Sequence, residues 1–244
     1  MEGKRIEHIG GQVLILGDSL DILPTLAAGS VDCFLTDPFY GVDGGRGGQA
    51  RERGKARYVS VTTEWEDTPV AVATVAVPAV EWAVENTIRG AVTPGIKCMA
   101  LYPDPADIGC FWTPAACGVG PWGFTTFHPI LYYGRDYRAG RGALPSGKQV
   151  TERAEKNGHP CPKPLGAWSW LLEKVSQSGE TILDPFMGSG TTLVAAELLG
   201  RRGIGIEIDE GYFEIACRRV EEAVKKREAD AAQLTLIQEA TCDN

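Results

Sequence analysis

The feature that most constrains the fold is a run of strand, glycine-rich turn, helix and second strand between residues 181 and 208. The first strand leads into the turn DPFMGSGTT, and a helix predicted over 193–199 ends before Gly200. The second strand, GIGIEI, carries the acid Glu207 near its end. Glycines let the backbone approach a ligand closely, and the helix offers free N–H groups. An acid at the next strand end can accept hydrogen bonds from ribose hydroxyls, so the run indicates a Rossmann-type nucleotide site.

The turn does not match the common phosphate-binding motifs. It is not G-x-G-x-x-G, and no lysine follows its glycines as in a P-loop. A dinucleotide or a nucleoside triphosphate is therefore not supported. An ordinary tight turn with a surface glutamate is the alternative, and the position of Glu207 favours a ligand.

Strand and helix signals alternate along the chain, which predicts one α/β domain over 1–244 with a mostly parallel sheet and helices on both faces. The predicted strands are 12–16, 31–36, 96–102, 181–183 and 203–208, with a strand or hairpin at 124–133 that Pro129 makes irregular or an edge. The predicted helices begin at Ser19 and cover 79–88, 165–175, 193–199 and 212–226, before a frayed tail.

Composition indicates a globular protein in a reducing compartment. Apolar residues make up 43% and charged residues 23% of the chain. Seven cysteines, an odd number without a C-x-x-C pair, fit neither a disulfide framework nor a zinc site. No secretory signal is visible, and the uncharged stretches are too short or too interrupted by proline to span a bilayer. We therefore expect a cytoplasmic protein with no membrane span and no metal.

A second turn, Asp37-Pro38-Phe39-Tyr40, follows the predicted strand 31–36. The carboxyl end of a strand is where open α/β sheets bind their ligands. Asp-Pro is a common turn dipeptide and by itself is structural. Tyrosine supplies a stacking face and aspartate an acceptor, so together they can hold a planar ring that bears an amino group.

The two turns resemble the motifs of DNA amino-methyltransferases. TDPFYG resembles their (Asp/Asn/Ser)-Pro-Pro-(Tyr/Phe) motif, and DPFMGSGTT resembles their S-adenosylmethionine motif. GHPCPKPLGAWSWLLEKVS is similar to the His-Pro-x-x-Lys-Pro segment that precedes the latter, and GIEID with GYFEIACRRVEEA to the ribose-binding acid and its helix. GDSLDILPTLAAGSVDCFLTDPFYG is similar to the family's opening segment. The resemblance covers 12–41 and 157–222 and is weak over 60–125.

Motif order resembles the circularly permuted β group, because the turn at Asp37 precedes the one at Asp184. The resemblance implies a circularly permuted, Rossmann-like, S-adenosylmethionine-dependent methyltransferase fold, and by analogy a homodimer. We see no nuclease motif and no large recognition domain, so we expect a stand-alone, phage-type enzyme. Phe39 replaces the family's second proline, which puts rate or target preference in doubt while Asp37 and Pro38 are kept.

The resemblance also implies residue roles. Asp37 and the Pro38 carbonyl accept hydrogen bonds from the target amine, and Tyr40 stacks on a base flipped out of the duplex. The implied cofactor is S-adenosylmethionine, held by Asp18, His159, Lys163, Pro164, Asp184, Phe186, Gly188, Ser189, Gly190, Thr191 and Glu207. Asp209 is alternatively a helix N-cap, and His159 an ordinary loop histidine.

The leading prediction is a site-specific DNA methyltransferase that acts on the N6 amine of adenine, because the first motif begins with aspartate rather than serine. Cytosine-N4 methylation is the alternative within the class. An RNA methyltransferase, or a catalytically impaired protein that only binds DNA or cofactor, are further alternatives.

The net charge of −8 argues against a nucleic-acid partner until it is resolved by segment. Residues 46–58, within a candidate DNA-contacting loop at 42–60, carry five basic residues and one acid. Residues 135–156, within a second candidate loop at 135–158, carry six basic residues and three acids. Solvated loops are the plain alternative. We predict contacts to double-stranded DNA from Arg46, Arg51, Arg53, Lys55, Arg57, Arg135 and Arg138.

Overall fold

The computed structural model describes residues 5–41, 67–114, 118–120, 122–140, 142, 144–155 and 163–242. Its strands are β1 Arg5–Ile9, β2 Gln12–Leu16, β3 Cys33–Thr36, β4 Arg89–Val92, β5 Asp107–Trp112, β6 Gly118–Gly120, β7 Gly123–Thr125, β8 Phe127–Gly134, β9 Lys148–Gln149, β10 Thr181–Asp184 and β11 Arg202–Glu207. Its α-helices are α1 Ser19–Ile22, α2 Pro69–Ala71, α3 Val77–Asn86, α4 Gly95–Cys98, α5 Leu165–Val175, α6 Thr191–Leu198 and α7 Glu210–Cys242. Turns of 3₁₀ helix follow α1 at Leu23–Thr25 and α4 at Met99–Leu101, and a π-helical segment, Val72–Ala76, joins α2 to α3.

Nine strands form one sheet in the order β1-β2-β11-β10-β3-β4-β8-β5-β9, and β6 pairs with β7 in a separate hairpin. The five neighbours β2, β11, β10, β3 and β4 are all parallel. β1 is antiparallel to β2, and β8 is antiparallel to both β4 and β5. The carboxyl ends of the five parallel strands therefore meet at one edge of the sheet, which we call the carboxyl edge.

Side chains of the central strands alternate between two packed faces. Phe34 of β3 and Leu183 of β10 pack with the apolar residues of α1 and α3. Cys33, Leu35 and Ile182 point to the other face and pack with α5 and α6. The prediction of a largely parallel sheet with helices on both faces is thus confirmed.

The helix α5 shows why the sequence pattern was informative. Trp168, Leu171, Leu172 and Val175 are all buried and recur at the helical spacing that forms one stripe. Burying each such side chain stabilises the fold by roughly 1.5–3 kcal/mol. The predicted bounds of this helix, like those of the strand β2, agree with the structure.

The prediction of a strand at 96–102 is wrong, because this segment forms α4 and a 3₁₀ turn. The strand of this region is β4, which has only four residues and includes Arg89 and Gly90. Arg89 is buried, and its guanidinium pairs with both carboxylate oxygens of Glu180. A β-carbon at Gly90 would lie 2.1 Å from the ring of Phe34. Long-range partners therefore decide this strand, and a local pattern does not reveal them.

The predicted frayed tail is also wrong, because α7 continues to Cys242. After Gly211 the sequence of this helix contains no glycine or proline, and alanine and glutamate are frequent, which favours helix on intrinsic grounds. Its side chains at 228–234 are exposed. In the described part of the chain, no helix is long and apolar enough to cross a membrane.

The region 124–133 forms β7 and the eight-residue strand β8. Pro129 pairs with Cys110 of β5, whereas the register with β4 ends at Leu131. β8 therefore has a partner on one side only at Pro129, which is the edge-like setting that a residue without an N–H requires.

Candidate active site

The carboxyl edge collects the residues that the sequence singled out for chemistry. Asp37 directly follows β3, Asp184 ends β10 and Glu207 ends β11. Because β10 lies between β3 and β11 in the sheet, the two motif turns are neighbours in space.

Two glycines with left-handed backbone angles shape the turn after β10, Gly188 at φ 51° and Gly190 at φ 77°. A β-carbon at Gly190 would lie 2.9 Å from the Cβ of Ala216 in α7, so packing also excludes a side chain there. Among the described residues, no side chain caps α6 at Gly190. The N–H groups of its first turn therefore remain available to a polar ligand.

Glu207 lies beside this turn and is held by backbone N–H groups. Its Oε2 accepts from the N–H of Gly188 at 2.9 Å, and its Oε1 accepts from the N–H of Asp209 at 2.8 Å. Burial raises the pKa of Glu207 to about 7, although these hydrogen bonds favour the charged form. Asp209 caps α7 by accepting from the N–H of Tyr212 at 3.0 Å, which confirms the N-cap alternative for this residue.

Asp184 braces the glycine turn from its buried position. Its Oδ1 accepts from Thr36 Oγ1 at 2.7 Å and from the N–H of Phe186 at 3.1 Å, and its Oδ2 accepts from Thr192 Oγ1 at 2.5 Å. The indole of Trp168 donates to the same Thr192 hydroxyl at 2.8 Å. Burial raises the pKa of Asp184 to about 6, against the opposing effect of its hydrogen bonds.

A buried arginine of α7 fixes the other side of the turn. Arg219 donates to the carbonyl of Ser189 at 2.5 Å, to Ser189 Oγ at 3.2 Å and to Thr191 Oγ1 at 3.2 Å. Burial lowers the pKa of Arg219, and its remaining partner is Glu155 at 3.7 Å. Ser189 and Thr191 are themselves buried, so this guanidinium sets the shape of the turn from behind.

Asp18 lies after β2 at the same edge. It is the N-cap of α1 and accepts from the N–H of Leu20 at 2.8 Å. The neighbouring Gly17 N–H donates to the carbonyl of Glu207 at 2.8 Å, and Ser19 Oγ donates to the carbonyl of Pro185. These bonds hold the segment that carries Asp18 against the glycine turn.

The carboxylate of Asp37 is surrounded by three donors. Its Oδ1 accepts from the hydroxyl of Tyr40 at 2.5 Å and from Thr93 Oγ1, and its Oδ2 lies 2.5 Å from the ammonium of Lys163. Pro38 is buried directly beside it. Asp37 and Lys163 are 20% and 18% exposed, so the pair lies at the mouth of the site.

Backbone borders one side of the Tyr40 ring, and a cation lies at its hydroxyl end. Gly95 begins α4 with φ 67°, and a β-carbon there would lie 2.7 Å from the Tyr40 ring. The ammonium of Lys163 lies 5.1 Å from the ring centroid and donates to the tyrosine hydroxyl at 3.0 Å. Burial, followed by the negative charge of Asp37, raises the pKa of Tyr40, so the hydroxyl stays protonated as a donor.

Phe39 joins the two turns directly. Its ring meets that of Phe186 edge-to-face, with the centroids 5.9 Å apart. Such a pair contributes about 0.5–1.5 kcal/mol beyond the area that it buries. The residue that departs from the family motif therefore packs against the cofactor turn.

A cleft of about 60 Å³ lies between the two turns. Its lining residues are Asp37, Lys163, Trp168, Asp184, Phe186, Met187, Gly188, Ser189, Thr191 and Thr192. The pKa of His128 in β8 depends on the charges of this site. Burial and the charge of Lys163 lower this pKa, and the charge of Asp37 raises it. The imidazole is therefore neutral at pH 7.

Several predicted residues lie outside the described part of the chain. These are His159 and the basic residues Arg46, Arg51, Arg53, Lys55 and Arg57. Pro164 is described and precedes the first residue of α5, where its carbonyl accepts from the N–H of Trp168.

The structure places Arg135 and Arg138, which the sequence predicted to contact DNA, away from Asp37. Both follow β8, whose last residue, Gly134, pairs with Arg89 at the start of β4. They therefore lie at the amino ends of the parallel strands, opposite the carboxyl edge. Arg138 also donates to a backbone carbonyl of α5 at 3.1 Å, which gives it a structural contact.

Sequence reasoning missed several residues that shape the site. Thr93 and Arg219 carry no motif of their own, and their contacts join elements that are distant in the chain. His128 lies in the segment 124–133, which the sequence predicted as a strand or hairpin without indicating a role for the histidine. The predicted cofactor residue Lys163 is bonded to Asp37 and Tyr40 of the other turn, which the sequence did not indicate.

Known proteins with similar sequences are methyltransferases. Over 78 residues the chain is 45% identical to the type II methyltransferase M2.DpnII of Streptococcus pneumoniae, covering 30% of this chain and 28% of that protein. Over 64 residues it is 47% identical to the type II methyltransferase M2.MboI of Moraxella bovis, covering 26% and 23%. Each match thus spans about a quarter of the curated relative.

Solved structures with the same fold cover nearly the whole chain. The M1.HpyAVI–SAM complex superposes with a TM-score of 0.58 at 17% identity, over 85% of this chain and 98% of the other. The cytosine-N4-specific PvuII DNA methyltransferase gives 0.60 at 13% identity, over 91% and 95%. At these identities the similarity shows a shared fold, which is a Rossmann-like arrangement of a mixed sheet packed with helices. A family model for DNA methylases, N6_N4_Mtase, matches residues 89–218, more than half of the chain. The chain therefore belongs to the N6_N4_Mtase family of DNA methylases.

Proposed function

We propose that this chain is a DNA methyltransferase that moves a methyl group from S-adenosylmethionine to the N6 amine of a flipped adenine. The observation that carries the proposal is the single cleft that both the Asp37 turn and the glycine turn border. Methyl transfer requires the base amine and the methyl donor to be held in contact, so the turns that bind them must border the same cleft.

The glycine turn suits a cofactor that carries a ribose and an amino-acid moiety. Gly188 and Gly190 leave the backbone open to close approach, and Glu207 is a carboxylate at the end of the neighbouring strand. When bound, S-adenosylmethionine supplies an electrophilic methyl group on a sulfonium. Glu207 would hold the ribose hydroxyls, with Ser189 and Thr191 keeping the turn in shape through Arg219.

The Asp37 turn suits a planar base with an exocyclic amine. Such an amine is inaccessible inside a duplex, so the base must leave the stack. The Tyr40 ring provides a stacking face, and Asp37 with the Pro38 carbonyl provides acceptors that orient the amine lone pair toward the cleft. The new N–C bond forms as the methyl–sulfur bond breaks, and the proton then leaves the amine toward Asp37 or water. Asp37 stabilises the positive charge that develops on the nitrogen.

Adenine is proposed as the target because the motif begins with Asp37, as the family resemblance implies. Chain order supports the circularly permuted β group. The Asp37 turn comes first in the sequence, yet β3 and β10, which carry the two turns, are adjacent in the sheet.

Double-stranded DNA is the proposed partner, with contacts from the basic segment 46–58. The described residues on either side of it are joined, since the Gly41 N–H donates to Asp67 Oδ1 at 2.5 Å. Lys97 donates to the Gly41 carbonyl at 2.7 Å. The described residues that border this segment therefore lie at the carboxyl edge, close to Asp37, and the five basic residues in its sequence support the proposed contact with DNA.

The test is transfer of radiolabelled methyl groups to duplex DNA, single strands and RNA, followed by digestion to nucleosides. We expect N6-methyladenine from duplex DNA. N4-methylcytosine would replace adenine by cytosine as the target, and label in RNA alone would contradict the proposal. Asp37→Ala should abolish transfer and spare cofactor binding by calorimetry, whereas Asp21→Ala on the exposed face of α1 should retain both.

A further inference from the structure

We propose that in the free protein the ammonium of Lys163 occupies the place of the target amine on Asp37 Oδ2. The ammonium leaves this oxygen when the base enters. This inference rests on the proposed function and assigns the acceptor oxygen and the residue that is exchanged. It begins with the unequal use of the two Asp37 oxygens. Oδ1 accepts from Tyr40, which belongs to the same turn, and from Thr93, which directly follows β4. Oδ2 pairs with Lys163 at 2.5 Å.

The two hydroxyl donors fix the carboxylate and need not move. Thr93 is 2% exposed, and its N–H donates to the carbonyl of Thr36 at the end of β3. The backbone at Gly95 borders one side of the Tyr40 ring. Together they hold Oδ1, so Oδ2 is the oxygen that can change partners.

Lys163 occupies the position on Asp37 that the amine of a flipped base requires. Its ammonium bonds the carboxylate as an exocyclic amine would, and it also donates to the Tyr40 hydroxyl at the edge of the ring on which the base would stack. Base and ammonium therefore compete for the same carboxylate. Positive charge also develops on the amine during transfer, so a cation left on Oδ2 would oppose the reaction.

The exchange is sterically feasible. Lys163 is 18% exposed, and its side chain is long and flexible. Its backbone directly precedes Pro164, the N-cap residue of α5. Moving the ammonium into solvent breaks its ion pair with Asp37 and its hydrogen bond with Tyr40.

The test uses duplex DNA of the sequence that the enzyme methylates, with 2-aminopurine in place of the target adenine, because this base fluoresces when it leaves the stack. Lys163→Met keeps the apolar stem and removes the charge. We expect it to lower the DNA concentration that gives half of the fluorescence change by about tenfold, because the competitor for the open site is gone. Lys163→Arg should raise that concentration, since a guanidinium grips a carboxylate through two bonds.

Lys148→Met is the matched control. The ammonium of Lys148 lies 5.8 Å from the centroid of the Trp170 ring. The variant Lys148→Met therefore measures how much DNA binding changes when one lysine charge beside an aromatic ring is removed. The proposal would be overturned if Lys163→Met needed a higher DNA concentration than Lys148→Met for half of the fluorescence change. It would also be overturned if Lys163→Arg needed the same concentration as the wild type. Loss of cofactor affinity in calorimetry together with loss of flipping would also overturn it, and would place Lys163 on the cofactor side. Methyl transfer by the wild-type enzyme is measured in parallel, and its absence counts against the proposed function.

Discussion

Thr36 at the end of β3 donates a hydrogen bond of 2.7 Å to Asp184 at the end of β10, although 148 residues separate them in the chain. Thr36 immediately precedes the Asp37 turn, and Asp184 begins the glycine turn. One bond between neighbouring parallel strands therefore sets the spacing of the two halves of the site.

Thr36→Val should destabilise the fold, because it removes a donor from a buried carboxylate. We expect the free energy of unfolding to fall by about 1–3 kcal/mol. Denaturant titration measures this change. The control is Thr74→Val, whose hydroxyl donates to the Val70 carbonyl at an exposed site and whose loss should cost less than about 0.5 kcal/mol. Equal effects of the two variants would contradict the role of the Asp184 contact.

Cofactor binding should strengthen as pH rises through about 7, because burial raises the pKa of Glu207, the proposed ribose ligand, to about 7 and only an ionised carboxylate can accept from both ribose hydroxyls. Calorimetry between pH 5.5 and 8.5 measures this affinity. Glu207→Gln should bind weakly and remove the pH dependence. Asp184→Asn is the comparison, since the pKa of Asp184 is about 6 and its effect would appear at lower pH.

The same two carboxyls should make the free protein less stable as pH rises from about 4 to about 7. Their pKa values are raised above the ordinary ones, so in this range the folded state binds more protons than the unfolded state. The contribution of these groups is therefore greatest at the acidic end and is lost through their folded pKa values. Comparison of unfolding free energies for wild type and Glu207→Gln isolates the Glu207 part. The wild-type value minus the variant value should fall as pH rises from about 4 to about 7, and a rise over this range would contradict the prediction.

Arg219→Gln should weaken cofactor binding about tenfold, because the carbonyl and hydroxyl of Ser189 lose a charged donor. The exposed neighbour Arg218 supplies a matched control in Arg218→Gln, which should leave the affinity unchanged. Calorimetry measures both. Arg219→Lys should restore part of the affinity, and equal affinity of wild type and Arg219→Gln would refute a role for the guanidinium in shaping the turn.

Phe39→Leu should raise the cofactor concentration needed for half-maximal methyl transfer by a few fold, since the ring contact with Phe186 is lost. The rate at saturating cofactor should change less, because Asp37 and Tyr40 keep their own contacts. Phe124→Leu, at an exposed ring, is the control. A large loss of maximal rate with unchanged cofactor affinity would assign Phe39 to the base side instead.

The sequence predicted elements whose side-chain period matches their burial. Residues 12–16 and 165–175 are such cases, since every apolar residue there is buried or packs against a core cluster. It could not predict β4, where a buried arginine and a glycine depend on Glu180 and Phe34 from other strands.

The candidate site shows the same division. The acids at strand ends, Asp37 and Glu207, could be found from motif spacing. Thr93 could not, because its partner Asp37 lies in a different βα unit. The position of Arg135 depends on the direction of β8, and a charge count carries no information about strand direction.

The bond between Gly41 and Asp67 has a consequence for how such an enzyme can diversify. It joins the residues on either side of the segment 42–66, so a contact outside this segment helps to hold the chain that follows Asp37. Loop closure costs little more when a loop lengthens, provided that its ends are already joined. Exchanging this segment between related chains should therefore change which DNA sequence is selected and leave the transfer chemistry in place.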